Sequence, residues 1–441
     1  MNVAVHWAIP TAMMSTGLNF LVAALRCEID ALEELARTSE LVADIGRLVH
    51  ALQRERGLSN GLLASGGQRF GERREEQIRE CLACEQAVRT GFDALAADRR
   101  RHSLNGARLF SRIAWVLPGM DALPALRRRI GALELDPAQA TAALVKLVAG
   151  LLAVVFEAAD GATDPEISRR LVAMFNFMQG KEFAGQERAC GAAAFGSGRS
   201  DLARQQQWLQ LISSQEACFH TFAEFASGTL VARWLATQAP TQLAELERLR
   251  RVACSAPAGA ALDAELSQYW FDCCTHRIDA MQEIEALLAA ELRELSQSRT
   301  AQARTELQAH ERLLARWAEH APPNNADFFF GGPDLNAPPP TAEGSAPPYG
   351  RHLERSILQL VQDQAHRLQA MGDELETVRV ALNERKVVER AKGLLMAHRR
   401  LSEDEAHKML RQTAMNQKRR LVEVAESVLA MAEFLPNDAA R

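Results

Sequence analysis

Between Leu262 and Trp317 the chain contains neither proline nor glycine. A run of that length built from Ala, Leu, Glu, Gln and Arg has one regular structure available, a single rigid α-helix. A helix that long cannot bury its apolar stripe on itself and needs other helices beside it. The rest of the composition agrees: strong helix formers abound and tyrosine is scarce, which predicts an all-α fold. At 441 residues there is room for two or three cores.

Upstream of that rod, helical periodicity covers Asn19–Ala64, Glu72–Arg101 and Asn105–Leu133, the last with a break expected at Pro118. Asp136-Pro137 and Asp164-Pro165 each pair a capping side chain with proline at the first helical position. They predict helix starts, the first for an apolar helix at Ala138–Ala158 central to a bundle. Further helices follow over Asp201–Ser227, through Trp234, and over Pro240–Ala253.

Three of these helices carry an arginine inside an apolar stripe. Ile45, Val49, Leu52, Arg56, Ser59 and Leu63 share one face; so do Met174, Phe177, Lys181, Ala184, Arg188 and Phe195; Arg250 falls in line with Leu243, Leu246 and Ala253. Two of the segments rhyme: Glu55-Arg56, eight residues, Ser65-Gly66, and Glu187-Arg188, eight residues, Ser197-Gly198. A buried arginine is expensive unless an anion meets it. The anion could be a neighbouring carboxylate such as Glu55 or Glu187, in which case the arginine only braces a bundle. It could instead be a small oxyanion held between helices, for which the planar, permanently charged guanidinium suits a planar anion better than lysine does.

The residues at these places, LQRERGLS (52–59), KEFAGQERA (181–189) and YWFDCCTHRIDAM (269–281), resemble the nitrate- and nitrite-sensing (NIT) domain over roughly Ala31–Trp317. The resemblance implies a sensor of two packed four-helix bundles whose arginines hold nitrate or nitrite. The arginines at the matching motifs are Arg56 and Arg188. A further anion-binding arginine is implied in the LAELERLRR segment, where Arg248, Arg250 and Arg251 compete and Arg250 is chosen for its place on the apolar stripe.

Ala321–Gly350 is rich in Pro, Gly and Asn and reads as a tether. Beyond it Ile357, Val361, Gln364, Leu368, Met371, Leu375, Val378 and Leu382 alternate at heptad a and d positions. The pattern fits an intramolecular helix hairpin or, preferred here, a parallel coiled coil that makes a homodimer.

The last stretch, Glu384–Arg420, holds eleven basic against five acidic side chains, so a net charge of about +6 sits on a small module in a chain whose total is −5. Apolar residues fall on three short helical faces: Val387, Val388, Ala391, Leu394 and Leu395; Ala406, Met409, Leu410, Thr413 and Ala414; Leu421, Val424, Ala425, Val428 and Leu429. A three-helix bundle with a basic exterior suits a polyanion, DNA or RNA. AKGLLM, LSEDEAHKMLRQTAM and LVEVAESVL resemble the ANTAR domain over about Val380–Ala432, which implies binding to paired RNA hairpins in a leader transcript. Lys392, Arg411, Lys418 and Arg419 are the candidates for phosphate contact. His407 stands where that family often carries Tyr or Phe, and is the candidate for base stacking.

The expected organisation is therefore an irregular leader at 1–25, sensor at 26–318, linker at 319–350, coiled-coil helix at 351–382 and ANTAR module at 383–435. The combination resembles nitrate-responsive antiterminators: nitrate or nitrite as effector, two-hairpin leader RNA as partner. The rival reading is a signalling scaffold whose C-terminal helices only bind protein. No phosphate-cradling glycine loop, HExxH or nucleophile–base set argues for an enzyme. No cofactor or metal is expected: the eight cysteines are scattered and read as free thiols of a reducing cytoplasm. The N-terminal apolar stretch is interrupted by His6, Pro10 and Asn19, so no membrane anchor is expected.

Overall fold

The computed structural model describes residues 15–97, 106–238, 240–320, 366–380 and, with gaps, 384–432. All regular structure among the described residues is helical, apart from one isolated bridge between Arg199 and Ala261. The helices are α1 (Ser15–Ala64), α2 (Gly71–Ala97), α3 (Gly106–Gly131), α4 (Pro137–Asp160), α5 (Pro165–Gly196), α6 (Leu202–Phe225), α7 (Gly228–Thr237), α8 (Pro240–Cys254) and α9 (Leu266–His320). Residues 366–380 form α10; α11 (Glu403–Gln417) and α12 (Leu421–Ala432) close the chain.

Two sequence expectations change. Helix α1 begins at Ser15, inside the stretch expected to be irregular, with Val22 and Leu25 buried. Helix α3 runs through both Pro118 and Pro124 without a break. Burial of Val116, Met120 and Leu123 around the prolines supplies the packing that outweighs the lost backbone hydrogen bonds. The expected starts of α4 and α5 are present. Asp136 caps Gln139 in a reciprocal capping box, and the Asp164 carboxylate accepts from the Ile167 amide.

The chain divides into two compact units. In the first (residues 1–34 and 297–373), ion pairs lace the start of α1 to the end of α9: Arg26–Glu311, Arg304–Glu33, and Arg367 to both Glu28 and Glu306. The second unit (residues 35–296 and 374–441) holds two four-helix groups. Helices α1–α4 make the first, where Glu55, Glu85 and Arg127 join α1, α2 and α3, and Leu62, Ile130 and Ala140 join α1, α3 and α4. Helices α5, α6, α8 and α9 make the second around Phe195, Trp208, Leu249 and Trp270. The two indoles meet edge to face at 4.7 Å.

Helix α5 is buried along almost its whole length and packs against helices of both groups. The apolar α4 is long enough to cross a membrane by length and composition, yet most of it is buried against α3 and α5. The rhyme seen in the sequence is structural: α1 and α5 both end in a serine followed by glycine of positive φ, Gly66 and Gly198.

Gly191 shows how tightly α5 meets its neighbours. A Cβ there would overlap the Trp270 indole and the six-membered ring of Trp208, both fully buried. Gly191→Ala should destabilise the sensor by about 1–3 kcal/mol through overpacking. Urea unfolding followed by tryptophan fluorescence measures this, and Gly71→Ala, with no atom near its Cβ position, is the control.

Candidate anion site and nucleic-acid face

Arg56 and Arg188 meet where α1 crosses α5. Each reaches past a glycine of the opposite helix: Arg56 Nη2 lies 2.8 Å from where a Cβ on Gly185 would be, and Arg188 Nη2 lies 3.3 Å from the same point on Gly57. Both are buried, 3 % and 8 % exposed. Their surroundings differ. Arg56 is bidentate on Glu182 (Nη1 to Oε1 2.5 Å, Nη2 to Oε2 3.2 Å), and that carboxylate also accepts from Gln53 at 2.8 Å and Gln186 at 2.9 Å. Arg188 donates Nη1 to the Thr275 hydroxyl at 3.0 Å and stacks 4.7 Å from the centre of the Phe271 ring. Among the described residues no carboxylate lies within ion-pair reach of Arg188.

The electrostatics follow. Burial pulls the Arg188 pKa down, and the nearby Arg56 guanidinium pulls it further. His50, one turn before Gln53 on α1, is pushed down to about 3 by burial first and then by Lys181, Arg54 and Arg188. Lys181 itself is matched by Glu285 at 2.5 Å and bonded to Gln282 at 2.7 Å. The crossing is thus electropositive, and Arg188 is its cation without a directly bonded carboxylate among the described residues; Asp279 and Glu182 act on it only through their fields.

Arg250 is buried, as its stripe position predicted, whereas Arg248 and Arg251 are exposed. Where an anionic ligand was expected, its partners in the structure are carboxylates. Its Nε and Nη2 grip both oxygens of Glu187 at 2.7 Å, and its Nη1 bonds Glu247 at 2.6 Å. Trp208 Nε1 and the Gln215 amide complete the shell of Glu187. Although burial pushes the Glu187 carboxyl up, these donors, Arg250 foremost, hold it below the usual range. The arrangement repeats that of the first group, where Arg127 grips both oxygens of Glu55 at 2.9 and 2.8 Å. In each Glu-Arg pair, then, the glutamate faces its own bundle and is braced by an arginine of a later helix.

Two residues escaped sequence reading. Glu182 gave no local signal because its partner Arg56 lies 126 positions away. Arg277 sits in the third quoted motif. Its Nη1 donates to Gln215 at 2.8 Å while its buried Nε has no partner, and burial, then Arg250, lowers its pKa.

In the C-terminal module, Ala391, Leu395, Ala406, Leu410, Ala414, Val424 and Ala425 form the core, flanked by Val387, Val388, Met409, Leu421, Val428 and Leu429. Arg411 is exposed on α11 beside Gln412, Met415 and Asn416. Arg419 is exposed and bonded to Glu423. Lys392 departs from expectation: it is 8 % exposed and engaged within the chain, because its helical position follows buried Ala391 and precedes Leu395 by three. Lys418 and the side chain of His407 lie outside the described residues.

Of the heptad residues, Ile357, Val361 and Leu382 lie outside the described residues, as does the linker from Ala321. Val378 and Leu375 are already buried within one chain, contrary to a seam between two chains, because the chain's own residues cover them. Leu368 is 47 % exposed and Met371 half-buried. All eight cysteines are free, and no metal-binding cluster occurs among the described residues.

The fold and these two sites define a helical body with a buried cationic crossing, followed by a basic helical module. Comparison with known proteins agrees. A family model described as nitrate and nitrite sensing (NIT) matches residues 47–293, and the ANTAR domain model matches residues 376–429. The chain is 34 % identical over 414 residues to the nitrate regulatory protein of Klebsiella oxytoca, covering 94 % of this chain and 95 % of that one. It also matches the solved structure of the NasR transcription antiterminator at 30 % identity and a TM-score of 0.56, covering 95 % of this chain and all of that one. The chain belongs to the NIT family, among the nitrate-responsive transcription antiterminators that end in an ANTAR domain; it is a regulator and not an enzyme.

His50 supplies a pH test of the crossing. Its folded pKa lies below the unfolded 6.5, so its contribution to stability is present above pH 6.5 and fades as pH falls toward 3. Going from pH 7 to 5.5, the wild-type sensor should lose about 1.2 kcal/mol more than His50→Gln, by the linkage slope of about 1.4 kcal/mol per pH unit per proton. Urea titrations at the two pH values read the difference.

Proposed function

We propose that the protein is a cytoplasmic one-component switch in which nitrate or nitrite binds at the Arg56–Arg188 crossing and licenses the ANTAR module to grip two-hairpin leader RNA. Transcription then continues past the terminator of genes for nitrate assimilation. The observation that carries this reading is Arg188: a buried guanidinium with a hydroxyl and an aromatic face for company, facing a second arginine. A planar monoanion supplies the missing charge and accepts in-plane N–H bonds from both groups. Arg250 serves the site indirectly by fixing Glu187, the neighbour of Arg188 in the chain.

At the other end, Arg411 and Arg419 contact phosphate, with Gln412 and Asn416 beside them for base edges. Lys408 of α11 donates to Gln206 of α6 at 3.3 Å, so one basic side chain of the module is held by the sensor. Anion binding shifts the helices that carry this contact and frees the basic face. Two chains pair through the heptad helix on the side of Leu368 and Met371, presenting two modules to paired hairpins.

Arg188→Gln should raise the nitrate Kd at least about thirtyfold, because one arm of a buried charge contact is removed. Full-length protein should then bind two-hairpin RNA without any response to nitrate. Calorimetry and filter binding measure the two effects; an unchanged nitrate response in a folded variant defeats the assignment.

Arg411→Ala should weaken RNA binding across hairpin sequences alike and flatten the salt dependence of log K by about one unit. RNA binding that ignores salt between 50 and 200 mM defeats the RNA reading in favour of protein association.

A further inference from the structure

The charge balance of the crossing says more than that an anion binds. Arg56 contributes +1, Arg188 +1 and Glu182 −1. Lys181 and Glu285 meet as a buried ion pair and are counted together as neutral, although burial pushes the Glu285 carboxyl up; His50 is neutral at pH 7. Arg54 lies outward, exposed and paired with Glu80, and Asp279 is exposed to water, where its field on Arg188 is screened. The buried crossing therefore carries a net charge of one.

Four donors converge on the two oxygens of Glu182, two from Arg56 and one each from Gln53 and Gln186, a shell suited to an ionised carboxylate. This carboxylate touches no part of Arg188. It bonds one arginine directly and reaches the other only through its field.

We infer that Glu182 is the residue that restricts this site to monovalent anions, by setting its net charge at +1. The inference rests on the anion site proposed above and goes beyond it. A monoanion brings the crossing to neutrality. A dianion such as sulfate leaves a buried surplus of −1, which a low-dielectric site opposes strongly. Geometry alone separates trigonal from tetrahedral oxyanions only weakly, since arginine pairs grip both; charge separates them by orders of magnitude.

The test compares wild type, Glu182→Gln and Gln186→Lys by calorimetry with sodium nitrate and sodium sulfate at fixed ionic strength. Circular dichroism melts establish that each variant is folded. Glu182→Gln keeps the shape and removes the charge. Gln186→Lys adds a positive charge at a half-buried position one turn from Glu182; it makes the same change of balance with the carboxylate kept in place and its Gln186 donor exchanged for a charged one. Wild type should prefer nitrate over sulfate at least about thirtyfold, and both variants should shift that ratio at least tenfold toward sulfate. If Glu182→Gln does not fold, Gln186→Lys decides. A folded variant that binds nitrate with wild-type discrimination overturns the inference and leaves the anion site standing. Failure of wild type to bind nitrate at all removes the site, and the inference with it.

Discussion

Adjacent Glu-Arg pairs on α1 and α5 are the interaction on which the sensor depends. Consecutive residues of a helix point about 100° apart, so one pair delivers opposite charges to two different neighbours. Glu55 turns to Arg127 of its own bundle and Glu187 turns to Arg250 of its own. Each contact is buried and bidentate, and removing either partner would strand an ion in a medium that cannot solvate it. The arginines of the pairs turn the other way, across the crossing of α1 and α5. Bracing within each bundle and, in the proposed function, recognition between bundles share the same two-residue unit, used twice.

That division of labour explains why Arg250 and Arg188 behave differently although both lie in apolar stripes. All the donor groups seen on Arg250 end on carboxylates, which fixes its charge and its rotamer. Arg188 has a hydroxyl and a π face, partners that orient a guanidinium without neutralising it. The glycines at 57 and 185 let the two helices approach while the long side chains pass. Thr275, the hydroxyl that meets Arg188, belongs to α9, whose sequence runs on to His320 and the segment that precedes the ANTAR module. The crossing therefore touches the helix whose sequence leads on toward the ANTAR module.

Much of this was legible in the sequence, and the failures have physical causes. Helix starts at Asp136 and Asp164, the glycine stops, the inward arginines and the three apolar faces of the ANTAR module are local patterns, and local patterns survive folding. The break expected at Pro118 failed because burial on both sides of the proline outweighs a lost hydrogen bond. Lys392 was a candidate for phosphate contact, yet its neighbours place it inside. Leu375 and Val378 show the limit of heptads: the pattern says which face is buried, and not which chain buries it. Carboxylate partners were hardest. Glu55 and Glu187 were named as neutralisers of the arginines beside them, but each belongs to an arginine far away in sequence.

The pairing of Arg56 with Glu182 bears on how a small anion can move helices. A ligand shifts an equilibrium only by the difference in its affinity for two states. An anion that met two free guanidinium groups would bind tightly to any arrangement that kept them close, and would select none. Here one of the two is already tied to a carboxylate that also gathers Gln53 from α1 and Gln186 from α5. In the proposed switch, drawing Arg56 toward an anion on Arg188 would loosen that knot, so the anion would favour arrangements of α1 and α5 in which the remaining donors still satisfy Glu182. Binding energy would then be converted into a preference for helix position because the competing partner is part of the protein. A fully neutralised crossing would not sense the ion, and a fully bare one would not respond to it; an intermediate charge is what would let recognition and switching share one site.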